Sequence, residues 1–190
     1  MTLPERLLAI HRALARRRVP HAFGGAIALA YCTLDPRATN DIDVNLFVPA
    51  ERSDRALRAL PEAIAQPEGT SEVIEREGLV RLWWEDTPID LFFDYAPIHA
   101  EAAKHRRVVP FAGTRIPVLG PVELAVFKVM FDRTRDWADI EAMAAARTLD
   151  VAAVTSSLKT MIRPADPRFD RLAESVRRGE RAESQVASPG

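Results

Sequence analysis

The sequence is poor in cysteine and has no strong excess of charge. Cys32 is the only cysteine among 190 residues, so neither an intrachain disulfide nor a cysteine zinc cluster can form. The chain has 26 Lys and Arg against 27 Asp and Glu, which gives a formal net charge of −1. This balance argues against a protein that coats nucleic acid through its overall field, although a local basic surface is compatible with it.

Long hydrophobic runs are also missing. No apolar stretch approaches the length needed to cross a bilayer, and residues 1–6 lack the basic-then-apolar pattern of a secretory signal. We therefore expect a cytoplasmic protein without a membrane partner. Hydrophobic residues at 47% and charged residues at 28% are ordinary for a globular chain, so wholesale disorder is excluded.

The strongest functional pattern lies in residues 24–44. Gly24 and Gly25 open an apolar helix, and after a polar loop a strand begins with Asp41 and Asp43 on either side of one isoleucine. Side chains alternate along a strand, so both carboxylates point to one face. Because neighbouring carboxylates repel each other unless a cation lies between them, the pattern predicts a site for a hard divalent cation such as Mg²⁺.

A third carboxylate interrupts an apolar strand predicted over residues 89–95. Asp90 is costly to bury in such a run without a counter-charge. It lies near the start of the strand, where it can stand beside Asp41 and Asp43. Asp94 would point to the same face of the strand but lies farther along it, and it is the second candidate for the third carboxylate.

Strand patterns dominate the first part of the chain and helical patterns the last part. We expect helices near 2–16, 25–32 and 53–65, and strands near 19–23, 41–48, 72–74, 79–84, 89–95, 108–111 and 116–119. Pro117 predicts an edge strand. Four further helices are expected near 122–132, 136–147, 150–161 and 166–178. This order predicts an α/β (α+β) core with a mixed sheet over 1–120, a helical half over 121–178 and a disordered tail over 179–190.

Charged residues in the helical half recur at three- and four-residue spacings: Lys128, Asp132, Arg135, Asp136 and Asp139. A continuous helix would align them on one face, whereas a break near residues 133–134 would bring two helix ends together. For the charges alone, the plain interpretation is a ladder of ion pairs on the surface.

The ordered set of diglycine, helix, Asp-x-Asp strand and later Asp90 strand resembles the nucleotidyltransferase superfamily, which has the polymerase-beta-like fold. Together with the pattern Lys…Arg-x-Arg-Asp-x-x-Asp at residues 128–139, it is similar to the AbiEii/MenT-type toxin nucleotidyltransferases. These are the transferase halves of bacterial toxin–antitoxin pairs. The resemblance covers about residues 20–140.

The resemblance implies an Mg²⁺-dependent nucleotidyltransferase with an NTP as substrate and Mn²⁺ as an alternative metal. The implied metal ligands are three carboxylates, of which the last is also a candidate base: Asp41, Asp43 and Asp90. The implied nucleotide-binding residues are two turn glycines, one hydroxyl and two cations: Gly24, Gly25, Thr39, Lys128 and Arg133. The implied catalytic set adds the acidic residue of the helical motif to the carboxylates and the lysine: Asp41, Asp43, Asp90, Lys128 and Asp139.

Toxins of this kind attach nucleotides to the 3′ end of tRNA and so block aminoacylation, with a pyrimidine preference in some members, here taken as CTP. The resemblance therefore implies tRNA as acceptor and a cognate antitoxin as protein partner. Some antitoxins are kinases that phosphorylate the hydroxyl residue corresponding to Thr39. The candidate RNA-binding residues are two basic clusters: Arg16, Arg17, Arg18, Lys104, Arg106 and Arg107.

Other functions are compatible with parts of the sequence. Within nucleotidyltransferases, the acceptor could instead be a small molecule such as an aminoglycoside, or a protein hydroxyl. A non-catalytic binding or antitoxin module would be indicated by a lost carboxylate, yet all three are present. A haloacid-dehalogenase-type phosphatase also uses Asp-x-Asp, but there the apolar strand precedes the carboxylates, whereas here residues 44–48 follow them.

Overall fold

The computed structural model describes residues 1–186. These residues form two compact units. The first comprises Met1–Ile27 and Arg37–Leu119, and the second comprises Ala28–Pro36 and the described part of the chain from Gly120 onward. The predicted division into a catalytic half over 1–120 and a helical half over 121–178 stays a prediction.

The first unit contains a mixed sheet of six strands: β1 (His21–Phe23), β2 (Ile42–Pro49), β3 (Leu79–Trp84), β4 (Thr87–Asp94), β5 (Arg107–Phe111) and β6 (Thr114–Val118). The strand order is β3-β4-β2-β1-β6-β5. The pairs β2–β4 and β1–β6 are parallel, and the other neighbours are antiparallel. This architecture confirms the predicted α/β class with a mixed sheet.

Helices of the first unit are α1 (Leu3–Arg16), the start of α2 (Gly25–Thr33), α3 (Asp54–Leu57), α4 (Thr70–Glu77) and α5 (Pro97–His105). The first of them begins where the sequence predicts. Thr2 and Glu5 form a reciprocal capping box, and Pro4 lies in the first turn. Leu7, Ile10 and Leu14 then form the buried stripe of α1.

The helix predicted over residues 53–65 is wrong in extent. Only Asp54–Leu57 is α-helical, and turns follow it. Pro61 has no N–H to continue a helix, which accounts for the early end. The predicted inward positions are nevertheless buried: Leu57, Leu60 and Ile64.

The strand predicted over residues 72–74 is also wrong, because Thr70–Glu77 is helix α4. Thr70 and Ile74 lie one helical turn apart and are both buried. Gly78, with φ of 70°, ends the helix and donates its N–H to the carbonyl of Ile74 at 2.7 Å. The buried positions of this segment are therefore spaced as in a helix, and Gly78 is the cap of that helix.

Pro117 does not mark an edge strand. It lies in β6, which has β1 on one side and β5 on the other. Proline is tolerated there because β6 pairs with β1 at one register position, Phe23 with Val118, rather than along its length.

The second unit is helical, with α6 (Pro121–Phe131), α7 (Thr134–Ala145), α8 (Val151–Lys159) and α9 (Arg168–Val186). The tail predicted to begin at residue 179 is helical as far as Val186, and residues 187–190 lie outside the described part. Gly179 explains the continuation, since a Cβ there would lie 2.2 Å from the carbonyl oxygen of Glu141, so glycine lets α9 pack closely on α7. Among residues 1–186, none of the helices combines the length and apolar character that a bilayer crossing requires.

A pair of histidines lies between α1 and the sheet in the first unit. His21 is 5% exposed, its Nδ1 lies 2.8 Å from the carbonyl oxygen of Val19, and its Nε2 lies 2.9 Å from Nδ1 of His11. Burial lowers the pKa of His21 to about 4, with smaller contributions from the charges of His11 and Arg106 and opposition from the hydrogen bond to Val19. The folded unit thus holds this imidazole neutral.

This pair predicts acid sensitivity. The pKa of His21 is about 4 in the folded protein against an ordinary value of 6.5, so the unfolded chain binds more protons between these pH values. The contribution of the neutral His21 ring to the free energy of unfolding is therefore fully present above pH 6.5 and is lost as the pH falls toward 4. The total loss is on the order of 3 kcal/mol. We expect His21→Gln to flatten the fall in the free energy of unfolding, measured by urea titration from pH 7.5 to 4.5. The exposed His105→Gln is the control, and an unchanged slope in His21→Gln would contradict the assignment.

Candidate active site

The diglycine lies directly after β1 and against the second carboxylate of the Asp-x-Asp strand. The N–H of Gly24 donates to the carbonyl oxygen of Asp43 at 3.0 Å. A Cβ on Gly25, which has φ of +50°, would lie 1.8 Å from Oδ2 of Asp43, and a Cβ on Gly24 would lie 2.8 Å from Nδ2 of Asn45. The position of Gly25 therefore requires glycine so that the start of α2 can approach this carboxylate, whereas a side chain at Gly24 would require Asn45 to move.

Strand register places Asp43 beside the predicted third carboxylate. Asp43 of β2 pairs with Asp90 of β4, and Asp90 pairs with Arg81 of β3 on its other side. Register partners on neighbouring strands point to the same face, so these three side chains form one row across three strands. Asp94 instead pairs with Pro49 at the far end of β4. The register therefore puts Asp90, and not Asp94, next to Asp43.

The first carboxylate lies just before β2 and is held by a hydroxyl. Thr39 donates its Oγ1–H to Oδ1 of Asp41 at 2.5 Å, and both residues are partly buried. Asp41 precedes Asp43 by two residues, as the predicted alternation requires. Thr39, which the resemblance implies as a nucleotide-binding residue, therefore contacts the first carboxylate.

Arg81 is the part of the site that sequence analysis missed. Its Nε and Nη2 each lie 2.6 Å from one carboxylate oxygen of Asp90, which is a bidentate ion pair. The hydrogen bond to Asp90 raises the pKa of Arg81, desolvation opposes the rise, and the charges of Asp90, Asp41 and Asp43 add to it. The guanidinium therefore lies in the field of all three carboxylates.

The donor chemistry of this cluster suits a hard divalent cation, because each of the three residues offers carboxylate oxygens. Within residues 1–186, however, no three His, Cys, Asp or Glu side chains are arranged so that they could hold a metal ion. In this structure both oxygens of Asp90 accept from Arg81. The metal-ligand roles of Asp41, Asp43 and Asp90 stay a prediction.

The helical motif of the second unit is broken between two helices. Asp132, with φ of 54°, ends α6, and Arg133 precedes α7. Across this break, Nζ of Lys128 lies 2.5 Å from Oδ2 of Asp139 and 3.6 Å from Oδ1 of Asp136. The alternative of two helix ends brought together is therefore correct. The ladder of surface ion pairs is wrong, because the lysine and both aspartates are buried.

Two further groups of contacts stabilise the break. Arg133 donates from Nε to Oδ2 of Asp136 at 2.6 Å. Asp132 accepts from Nε1 of Trp137 at 2.7 Å and from Nη1 of Arg171 at 2.9 Å. The guanidinium of Arg171 also lies 4.7 Å from the centre of the Trp137 ring. Each acidic residue at the helix junction thus has a cationic or N–H partner.

The residues predicted to bind RNA are all exposed: Arg16, Arg17, Arg18, Lys104, Arg106 and Arg107. Arg16 is the last residue of α1, Arg17 and Arg18 follow it, and the others lie where α5 ends and β5 begins. Lys104 pairs with Glu101 at 2.7 Å, and the guanidinium of Arg106 lies 5.9 Å from the centre of the Phe47 ring. Their exposure permits a contact with a polyanion, and that role stays a prediction.

The buried ion pair predicts a large cost for removing one partner. Lys128→Met would leave Asp139 and Asp136 buried without the ammonium, and we expect a loss of about 3–5 kcal/mol in the free energy of unfolding, measured by urea titration. Lys128→Met/Asp139→Leu should recover part of this loss, because it removes one of the unpaired charges. Lys104→Met, which breaks an exposed pair, should change stability little. Equal effects of the two lysine substitutions would contradict the burial argument.

Solved structures with a similar fold include nucleotidyltransferases and nucleotidyltransferase-like proteins. The solution structure of the antibiotic-resistance factor ANT(2'')-Ia matches with a TM-score of 0.53 and 14% identity, and the match covers 97% of this chain and 94% of that one. Its crystal structure with adenylyl-2''-tobramycin matches with a TM-score of 0.50 and 15% identity over 99% and 100%. An antigenic nucleotidyltransferase-like protein from Paracoccidioides brasiliensis matches with a TM-score of 0.50 and 12% identity over 96% and 89%. At these identities the likeness concerns the fold.

The family is shown by a match that spans nearly the whole chain. The model of the nucleotidyl transferase AbiEii toxin family, type IV toxin–antitoxin system, matches residues 6–187. A search of curated proteins finds no significant match. The family match confirms the predicted enzyme class, and the toxin–antitoxin system implies an antitoxin partner. The chain therefore belongs to the AbiEii family of toxin nucleotidyltransferases.

Proposed function

We propose that this nucleotidyltransferase transfers a nucleoside monophosphate from an NTP, preferably CTP, to the 3′ end of tRNA and so blocks aminoacylation. The observation that supports a transfer site best is the row of Asp43 and Asp90, with Asp41 two residues before Asp43, in front of Gly24 and Gly25. Carboxylates on one face of a sheet, beside a glycine turn whose backbone N–H groups can face a polyphosphate, provide the acidic groups and the close backbone approach that such a substrate needs.

Asp41, Asp43 and Asp90 would hold the divalent cation, with Mg²⁺ as the proposed ion and Mn²⁺ as a substitute. When bound, such a cation neutralises phosphate charge and lowers the pKa of an attacking hydroxyl. The acceptor hydroxyl oxygen forms the new bond to the α-phosphorus, the bond from this phosphorus to the β-phosphate oxygen breaks, and pyrophosphate leaves. The hydroxyl proton passes to a carboxylate, for which Asp90 is the proposed base.

The buried pair of Lys128 and Asp139 belongs to the proposed catalytic set, with the lysine as a contact for triphosphate charge. In the structure Nζ of Lys128 is buried and held by Asp139 and Asp136. The side chain of Arg133 is 49% exposed although it pairs with Asp136, and it is the more accessible cation of the motif. We assign it to nucleotide binding for that reason.

A polyanionic acceptor is favoured by the exposed basic residues in both clusters of the first unit. An aminoglycoside acceptor is a polycation, which such clusters would repel. The similarity to ANT(2'')-Ia concerns the fold and leaves the acceptor of this chain open, as it leaves a protein hydroxyl open. The exposed residues proposed to contact tRNA are Arg16, Arg17, Arg18, Lys104, Arg106 and Arg107.

Labelling of tRNA tests the transfer reaction directly. The protein is incubated with total tRNA, Mg²⁺ and each labelled NTP in turn, and label on tRNA is measured together with the fraction that can still be aminoacylated. We expect Asp41→Asn, Asp43→Asn and Asp90→Asn to lower the rate about 10²-fold or more. Asp54→Asn is the matched control, because Asp54 is exposed and pairs with Arg58 on the surface. Label that stays on tRNA in Asp43→Asn would overturn the proposal, and label on an aminoglycoside or a protein would change the acceptor.

Thr39 is the proposed site of regulation by an antitoxin kinase. Its hydroxyl already contacts Asp41, and a phosphate there would add about two negative charges beside the carboxylates, where the triphosphate of the substrate must bind. We expect Thr39→Glu to lose roughly 10²-fold in transfer rate by this repulsion, while Thr39→Ser keeps the hydroxyl and most of the activity. The measurement is the same labelling assay with both variants at equal folded concentration. Full activity of Thr39→Glu would count against this regulation.

A further inference from the structure

Arg81 places a positive charge beside the carboxylates that are proposed to hold the divalent cation. It lies on the edge strand β3, directly across from Asp90, which lies across from Asp43. The three carboxylates and this guanidinium together carry a net charge of −2. One divalent cation would neutralise that charge, and removal of Arg81 would leave a charge of −3 on the cluster.

The ion pair uses the oxygens that a metal would need. Nε and Nη2 of Arg81 each lie 2.6 Å from a different oxygen of Asp90, so neither oxygen is without a cationic partner. Guanidinium and a divalent cation both bind carboxylate oxygens, and their positive charges repel each other when both lie at one carboxylate. The ion pair with Arg81 therefore opposes binding of a cation at Asp90.

The pair is also accessible enough to exchange. The side chain of Arg81 is 50% exposed, whereas that of Asp90 is 16% exposed. The guanidinium is already partly solvated, so its transfer from the ion pair into solvent costs little free energy, while the carboxylate stays in place on the sheet. A partly exposed cation over a mostly buried anion is the arrangement expected of a replaceable counter-ion.

We propose that Arg81 is the resident counter-ion of the carboxylate cluster, which stabilises the metal-free protein and competes with the divalent cation for Asp90. This inference rests on the proposed function, because it takes Asp41, Asp43 and Asp90 as the metal site. It makes Arg81 a positioning residue that sets the affinity of the site for its cation.

Binding of Mn²⁺ without nucleotide tests the competition. The full chain, freed of metal, is titrated with Mn²⁺, and free Mn²⁺ is measured by its electron paramagnetic resonance signal. We expect Arg81→Gln to bind about tenfold more tightly than the wild type, since the charge-assisted contacts that oppose the metal are gone. Its melting temperature without metal should be lower than that of the wild type, and its rise on adding Mn²⁺ should be larger.

Two control variants identify the site. Arg58→Gln removes another surface arginine of the first unit, paired with Asp54 at 3.1 Å, and should leave Mn²⁺ affinity unchanged. Asp43→Asn should weaken binding strongly, which shows that the titration reports the carboxylate cluster. Arg81→Lys keeps the charge but loses the fork, so its affinity should lie between those of the wild type and Arg81→Gln. It also keeps the test valid if Arg81→Gln fails to fold.

The possible failures are distinguishable. If Asp43→Asn weakens Mn²⁺ binding but Arg81→Gln and Arg81→Lys bind no more tightly than the wild type, the inference about Arg81 is overturned and the proposed metal site stands. Weaker binding in Arg81→Gln would also overturn it, because Arg81 would then support the metal. If the wild type binds no Mn²⁺ that Asp43→Asn removes, the metal site and the inference fall together.

Discussion

Three carboxylates on one face of a sheet repel each other, and a guanidinium from the neighbouring strand reduces this repulsion. Asp43 and Asp90 lie side by side on β2 and β4, and Asp41 lies two residues before Asp43. Arg81 binds Asp90 through both oxygens and lies in the field of the other two carboxylates. The arrangement of the site therefore depends on the register between β3 and β4, which sets what lies across from Asp90.

That register depends in turn on a two-residue turn and on a buried arginine of α1. Trp84 pairs with Thr87, so the turn consists of the two residues between them. The guanidinium of Arg6 binds the hydroxyl of Thr87 and both acidic side chains of the turn, with Nη1 at 2.8 Å from Oδ1 of Asp86. Arg6 is buried, so these hydrogen bonds and ion pairs fix the turn to α1. A slip of one residue in this hairpin would move Arg81 to the other face of the sheet.

The local part of the site and the position of Asp90 beside Asp43 could be predicted from the sequence, whereas the partner of Asp90 on β3 could not. Gly24, Gly25 and the alternation around Asp41 and Asp43 depend on neighbours in the chain. Arg81 was missed because the predicted strands 79–84 and 89–95 leave four residues between them, whereas only residues 85 and 86 form the turn, and this difference hides the pairing of Arg81 with Asp90. The short helix α4 was missed for a related reason: a few apolar residues beside a glycine fit a strand and a helix equally well. In the second unit, spacing alone left the broken helix and the continuous helix open.

Each unit contains an ion pair between a cationic side chain and aspartate, and the two pairs differ in how exposed the cationic side chain is. The side chains of Lys128 and Asp139 are each 6% exposed, so separating them would leave a charge buried without a partner. Arg81 is 50% exposed, so it can leave Asp90 and become solvated. The buried pair is therefore suited to hold the junction of α6 and α7 in one arrangement. The exposed pair is suited to exchange, which is what a carboxylate needs if it must be stable without its metal and still accept one.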